Sequence, residues 1–234
     1  PIGTPLAGYG DRRGAPSTGV HDPLWVKALA LDDGKDEVIL AGADLLVVPD
    51  SVAEAVLAQL ARDPGLPRGR ILLAASHTHS GPGGWAPGPV GRLFAGKRDP
   101  AVIALLTERF VAAVRQAHGS LRPASIGIGV ADAPEFVRNR LIDGGETRGR
   151  LPLLAVRETE EDGGAGALLA VATSYSAHAT VLGSGNMLVS GDYPGALQRH
   201  LEAETGARAL FLGGAVGSMG PRAPGGDDDF ARAD

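Results

Sequence analysis

The stretch ILLAASHTHSGPGG, residues 71–84, runs from five apolar residues through a serine into two histidines and then into a turn of glycine and proline. A short, almost wholly apolar run is typical of a central strand that is covered on both faces. Because residues i and i+2 of an extended segment point to the same side, we expect His77 and His79 to project into one space. In open α/β sheets the carboxyl edge of the strands is where ligands bind. The stretch therefore predicts a strand that ends at a pocket containing two imidazoles.

Strands and helices alternate on both sides of this stretch. Asp99 and Pro100 are placed to cap and open one helix, and Ser51 and Glu54 fit a capping box at another. The predicted strands span residues 24–31, 36–48, 70–76, 125–130, 151–156, 167–173 and 207–214, and the predicted helices span 52–62, 100–118 and 193–205. This alternation predicts an α/β layered domain with a mixed, mostly buried sheet flanked by helices.

No internal repeat and no linker divides the chain, so we expect residues 1–234 to form a single domain. Residues 160–166 are predicted as an exposed hairpin turn. The last fifteen residues, GPRAPGGDDDFARAD, form a polar segment in which no closing element is predicted. From this we interpret the chain as the N-terminal part of a longer one.

The composition argues against several classes of protein. The net charge is −5 and there is no basic cluster, so nothing indicates nucleic-acid binding. No run of about 18 apolar residues predicts a transmembrane segment. The chain has no cysteine, which excludes disulfides and thiolate ligands. A bound metal would therefore be held by His, Asp, Glu or Tyr.

A third histidine has a setting similar to that of His77 and His79. His178 follows another apolar strand and precedes small residues in AVATSYSAHATVLGSG, residues 170–185. Two strand ends that deliver imidazoles to one edge can build a zinc site. A His-x-His pattern alone is equally compatible with ring nitrogens that bond to backbone carbonyls. Asp44, at the end of a predicted central strand, would either orient an imidazole or cap a turn. No role is predicted for the remaining histidines, His21, His118 and His200.

The motifs that carry these residues resemble those of a known family, the neutral/alkaline (non-lysosomal) ceramidases, in their N-terminal catalytic domain. The matching segments occur in the family's order. They are PLAGYG (5–10), AGADLL (41–46), SHTHSGPGG (76–84), RNR (138–140), SAHAT (176–180), LVSGDYPG (188–195) and FLGGAVGSMGP (211–221).

The resemblance implies a zinc-dependent hydrolase that cleaves the amide bond of an N-acyl sphingoid base by metal-activated water. It implies that His77 and His178 bind Zn²⁺ and that His79 and Arg140 face the reacting carbonyl. The substrate would be a small-molecule or lipid-like amide. The family completes its zinc shell with a glutamate and a tyrosine from later in the polypeptide. Asp192 is expected to be a helix N-cap instead of a ligand.

Two alternatives remain open from the sequence. One is a zinc amidase or esterase of the same fold that acts on another small N-acyl or ester substrate. The other is a non-catalytic domain that retains the fold. Serine chemistry is a poor fit because there is no Gly-x-Ser-x-Gly elbow. Metallo-β-lactamase-like proteins follow His-x-His with Asp-His, whereas Ser80 and Gly81 follow it here.

Overall fold

The computed structural model of the protein describes residues 2–66, 69–160, 164–223 and 229–234. The helices are α1 (Asp50–Leu60), α2 (Gly88–Ala95), α3 (Pro100–His118), α4 (Asp192–Thr205) and α5 (Asp229–Ala233). The strands are β1 (Gly19–Val20), β2 (Val26–Asp32), β3 (Glu37–Ala43), β4 (Ile71–Ala75), β5 (Ala124–Asp132), β6 (Val137–Asn139), β7 (Arg150–Thr159), β8 (Ala165–Tyr175), β9 (Leu188–Val189), β10 (Arg208–Gly213) and β11 (Met219–Pro221). The α/β class predicted from the sequence is confirmed.

The first layer, which we call the N-terminal layer, consists of the sheet β2-β3-β4 with helices α1 and α3. Strand β3 pairs antiparallel with β2 and parallel with β4. Both helices bury an apolar stripe against one another and the sheet; in α1 the stripe is Val52, Val56 and Leu60. Strand β4 is an edge strand of this sheet, and Leu72 is 52% exposed. The prediction that β4 is central and covered on both faces was therefore wrong.

Local sequence signals predict the start of α3 correctly but not that of α1. Helix α3 begins at Pro100, and the Asp99 carboxylate accepts a hydrogen bond of 2.8 Å from the Ala101 amide, as predicted. Helix α1 begins after Pro49, with no side-chain hydrogen bond at its cap. The capping box predicted there was wrong, because the extended Pro49 takes the cap position. Helix α2 was not predicted, since glycine and proline disfavour a helix in isolation.

The second layer, which we call the C-terminal layer, consists of the sheet β10-β8-β7-β5 with helix α4. Strand β8 pairs parallel with β10 and antiparallel with β7, which in turn pairs antiparallel with β5. All nine residues of β5 are exposed. The tip of the predicted hairpin between β7 and β8, residues 161–163, lies outside the described residues.

The two layers meet where β10 packs against β3 and β4. Two glycines permit the close approach. A Cβ at Gly42 would lie 2.7 Å from Leu210 Cδ1, and one at Gly213 would lie 2.6 Å from the Ala75 carbonyl oxygen. This junction brings the carboxyl ends of β4 and β8 to the same edge of the molecule. In the described part of the chain, no helix is both long and apolar enough to cross a membrane.

Candidate metal centre

The loops that follow β4 and β8 lie side by side. Thr78 and Ala179 form an isolated parallel bridge, and the His79 amide donates to the Ala179 carbonyl at 3.3 Å. This pairing brings together the three imidazoles that the sequence singled out. The ring centroids of His77 and His178 are 4.6 Å apart, and that of His79 is 5.3 Å from each. One ring nitrogen from each histidine lies within 4.8 Å of the others.

His77 and His178 present their Nε2 atoms to each other at 3.0 Å. The Nδ1 of His77 is 2.7 Å from the Leu46 carbonyl oxygen, and that of His178 is 2.8 Å from the Val216 carbonyl oxygen. Because a carbonyl only accepts, each Nδ1 carries the proton and donates it. In the neutral rings both Nε2 lone pairs therefore face one another, which favours a cation between them. The structure confirms that Nδ1 of each ring bonds to the backbone, and this leaves each Nε2 available as a possible metal ligand.

His79 differs from the other two histidines because neither of its ring nitrogens has a hydrogen-bond partner among the described residues. The side chain is only 9% exposed. Burial, followed by the charges of His77 and His178, lowers the pKa of His79 to about 3. Burial also lowers the pKa of His77 and His178. The lowered pKa values favour the neutral form of all three rings, and metal ligation requires a neutral imidazole with a free lone pair.

The backbone reaches this arrangement by a route that the sequence did not predict. Strand β4 ends at Ala75, and His77 adopts a left-handed conformation with φ +67°. The rings of His77 and His79 do converge, as predicted. The reason given for it was wrong, because the backbone at His77 is left-handed and not extended. The His77 amide donates to the Leu45 carbonyl at 2.9 Å, which helps to fix the unusual turn. A positive φ at a non-glycine residue costs energy and is often found at functional sites.

Arg140 lies at the border of the histidine cluster. It follows β6, and its Nε donates to the Gly217 carbonyl at 2.9 Å. Its amide donates to the Ser218 carbonyl, also at 2.9 Å. The side chain is exposed, and its positive charge contributes to lowering the pKa of all three histidines. Arg140 thus brings a cation close to the imidazoles without contacting them in this structure.

Two buried aspartates support the loops but do not contact the imidazoles. The Asp44 carboxylate accepts hydrogen bonds from the Trp25 amide at 2.9 Å and from Gln198 Nε2 at 3.1 Å. Of its two predicted roles, the structure favours the backbone cap, because the Leu46 carbonyl orients His77. Asp192 is the first residue of α4 and Gly191 takes the cap position, so the predicted N-cap role was wrong. The Asp192 carboxylate instead accepts from the amides of Val181 and Leu182 in the loop that carries His178. Burial raises the pKa of both carboxyl groups to about 6.

Sequence reasoning missed the segment that closes the site on one side. We call residues 5–14 the N-terminal arm. Its Tyr9 ring lies 4.7 Å from the His79 ring, and the Tyr9 hydroxyl donates to the Leu182 carbonyl at 3.1 Å. Arg12 is 7% exposed and contacts both loops. The only sequence signal was PLAGYG, to which no role had been assigned.

These features define an α/β protein with a three-histidine candidate metal centre at the carboxyl ends of β4 and β8. Residues 1–143, more than half of the chain, match the family described as "Neutral/alkaline non-lysosomal ceramidase, N-terminal". The chain therefore belongs to this family, as the resemblance of its motifs had implied.

Individual relatives agree with this assignment. The chain is 29% identical to the neutral ceramidase of Mycobacterium tuberculosis, over 89% of this chain and 34% of that protein. It is 25% identical to the neutral ceramidase of Pseudomonas aeruginosa, over 84% of this chain and 31% of that protein. The chain thus spans about a third of the length of these curated relatives.

A crystal structure of neutral ceramidase from Pseudomonas aeruginosa superimposes with a TM-score of 0.88 over 99% of this chain and 40% of that one, at 22% identity. A ceramidase complexed with C2 gives a TM-score of 0.86 over 99% of this chain and 39% of that one, also at 22% identity. At this identity the likeness establishes the fold alone.

Proposed function

We propose that the chain forms one ceramidase-like catalytic domain, which belongs to a zinc-dependent hydrolase that cleaves the amide bond of a ceramide-like N-acyl sphingoid base. The observation that carries the proposal is the pair of Nε2 atoms of His77 and His178, 3.0 Å apart with both Nδ1 protons donated to backbone carbonyls. The substrate class is supported by the relatives in Mycobacterium tuberculosis and Pseudomonas aeruginosa, which are neutral ceramidases.

The donor set fits zinc. Two nitrogens at the usual zinc–nitrogen distance of about 2.0–2.1 Å and a tetrahedral angle are about 3.3 Å apart, close to the separation of His77 Nε2 and His178 Nε2. Neutral imidazoles are zinc's common nitrogen ligands, and their backbone carbonyl partners keep the ligating nitrogen free. We assign His77 and His178 as the ligands that this chain supplies.

Zinc, when bound, lowers the pKa of water and polarises a carbonyl, which is the chemistry that amide hydrolysis needs. The chain's own residues would position the substrate around it. His79 is neutral and carries one N–H without a partner, so it can donate a hydrogen bond to the acyl oxygen as negative charge develops there. Arg140 adds a positive charge at the same edge and would hold the carboxylate product. A single donor of this kind typically contributes about 2.7–4 kcal/mol to lowering the barrier.

Metal retention tests the ligand assignment. We expect the protein to retain zinc in a one-to-one ratio, and His77→Ala and His178→Ala to lose it, because each substitution removes one of two imidazole ligands. Elemental analysis after gel filtration measures the ratio. His200→Ala, on the exposed side of α4, is the matched control and should retain the metal. Full zinc occupancy in either site variant would remove that histidine from the shell.

Substrate preference tests the reaction. We expect the protein to hydrolyse long-chain ceramide faster than short N-acyl amines or simple esters. His79→Ala should keep its zinc while its kcat falls by about 10²–10³, the usual loss when one oxyanion donor is removed. A preference for short amides or esters would instead support a different substrate for the same fold. Retention of zinc with no hydrolysis of any of these compounds would contradict the catalytic proposal.

A further inference from the structure

The N-terminal arm contains a buried cation to which the proposed chemistry assigns no role. The guanidinium of Arg12 donates from Nη1 to the His79 carbonyl at 2.5 Å, from Nε to the Ser184 carbonyl at 3.0 Å and from Nη2 to the Gly183 carbonyl at 3.2 Å. It also lies 4.7 Å from the centre of the Tyr9 ring. Within the described ranges, no carboxylate forms an ion pair with it.

A guanidinium in this environment is costly unless its donors are satisfied. Arg12 satisfies them only with backbone carbonyls. One is that of Ala7 in the arm itself, at 3.5 Å, and the others belong to two different loops. The His79 carbonyl is on the loop that follows β4, whereas Gly183 and Ser184 are on the loop that carries His178. One planar side chain thus ties together the two segments that supply the imidazoles. Lysine has a single nitrogen and cannot reproduce this fork of donors.

The opposite side of His79 is also formed by the arm. Gly8 has φ +109°, and a Cβ placed on it would lie 2.4 Å from His79 Nδ1. The Gly8 amide donates to the Phe94 carbonyl at 2.8 Å, which anchors the arm to α2. The His79 ring has no hydrogen bond among the described residues. Its position is set by packing against Gly8 and Tyr9, by the bond from its amide to the Ala179 carbonyl and by the bond from Arg12 to its carbonyl.

We propose that Arg12 is a positioning residue that fixes the loop of His79 against the loop of His178 and so holds the three-histidine site in shape. A catalytic consequence of this positioning rests on the proposed function. The positioning itself does not, because the hydrogen bonds of Arg12 are present in the protein without metal. Arg12 does not touch the proposed substrate position; it acts through the backbone of the residues that do.

The test is the rate at which diethyl pyrocarbonate modifies each histidine in zinc-free protein at neutral pH, localised by mass spectrometry. In Arg12→Lys we expect the rate at His79 to rise about fivefold, because losing a hydrogen bond favours local opening by about that factor. His200 should react at an unchanged rate. Arg13→Lys, one residue along and exposed, is the matched control and should leave His79 protected.

Two results would overturn the proposal. One is an unchanged His79 rate in Arg12→Lys, and the other is an equal rise at His200, which would indicate a general loss of stability. A second variant, Gly8→Ala, should also expose His79, whereas Gly3→Ala should not, because Gly3 has a similar φ of +91° with nothing within 4 Å.

If Arg12→Lys does not fold, NMR of the guanidinium groups in the wild-type protein tests the proposal instead. Rapid rotation of every guanidinium group would contradict the hydrogen bonds from Arg12 to the two loops. The labelling needs neither zinc nor ceramide. A chain that bound no zinc would refute the proposed function while leaving the labelling result intact.

Discussion

The two layers of the molecule are stabilised in different ways. Seventeen buried residues form the apolar cluster of the N-terminal layer and its neighbouring segments, whereas the described cluster of the C-terminal layer contains four: Val137, Tyr175, Ala177 and Phe211. Strand β5 exposes all nine of its residues. The loop of His178 is instead held by hydrogen bonds from the Arg12 guanidinium and the His79 amide, and by its own hydrogen bonds to the Asp192 carboxylate. The difference indicates that half of the metal centre depends on polar contacts, some of which come from the N-terminal arm and from the loop that follows β4.

The largest effect on stability should come from the core of the N-terminal layer. Phe110 is fully buried in α3, and Phe110→Ala should lower the free energy of unfolding by about 3–5 kcal/mol through lost burial and a cavity. Phe136→Ala, in a residue that is 46% exposed beside the C-terminal layer, is the matched control and should cost less than about 1 kcal/mol. Urea unfolding measures both. Equal losses in the free energy of unfolding for the two variants would contradict the claim that apolar burial stabilises the N-terminal layer more than the C-terminal layer.

A smaller effect should follow from crowding the junction between layers. The Cβ of Gly42→Ala would meet Leu210 Cδ1 at 2.7 Å and the Phe211 carbonyl oxygen at 3.0 Å. Overpacking of this kind costs about 1–3 kcal/mol. Gly127→Ala on β5 has open space around the new Cβ, so it should be neutral or slightly stabilising. If the two variants lower the melting temperature by similar amounts, the close approach of β10 to β3 is not important for stability.

The smallest effect should appear in the pH dependence of stability. Asp44 joins the layers through Trp25 and Gln198, and burial raises its pKa to about 6, above its value in the unfolded chain. The stability that it contributes is therefore fully present below about pH 4 and lost as the pH rises through 6.

Asp44→Asn removes this titration. The variant should gain about 1 kcal/mol relative to wild type between pH 4.5 and 5.5, because an uncharged amide replaces a buried carboxylate. Urea unfolding at both pH values measures the gain. The prediction would be contradicted if the free energy of unfolding changed with pH by the same amount in the two proteins. The lowered pKa values of His77, His79 and His178 act in the opposite direction in both proteins, so the difference isolates Asp44.

Local signals predicted the parts of the fold that depend on local chemistry. Helix α3 was predicted with its observed limits, because Asp99 and Pro100 specify its start directly. Helix α2 was missed, since Gly88, Pro89 and Gly91 disfavour a helix and tertiary contacts override them. The edge position of β4 depends on which strands pair, and that information is absent from a single apolar run.

The same limit applies to the site. Strand-end position and small following residues identified His77, His79 and His178 as neighbours. Arg12 was not found, because its partners His79 and Ser184 are 67 and 172 residues away in sequence. No periodicity or spacing connects residues at such distances. The role of Gly8 in PLAGYG likewise becomes visible only in the structure, where the His79 imidazole packs against it.

The most direct test of the central claim is a crystal structure of the zinc-loaded protein with anomalous data at the zinc edge. The account predicts one anomalous peak about 2.0–2.1 Å from Nε2 of both His77 and His178, with both Nδ1 atoms still bonded to the carbonyls of Leu46 and Val216. A zinc ion bound elsewhere, or imidazoles that remain paired with no ion at saturating zinc, would contradict it.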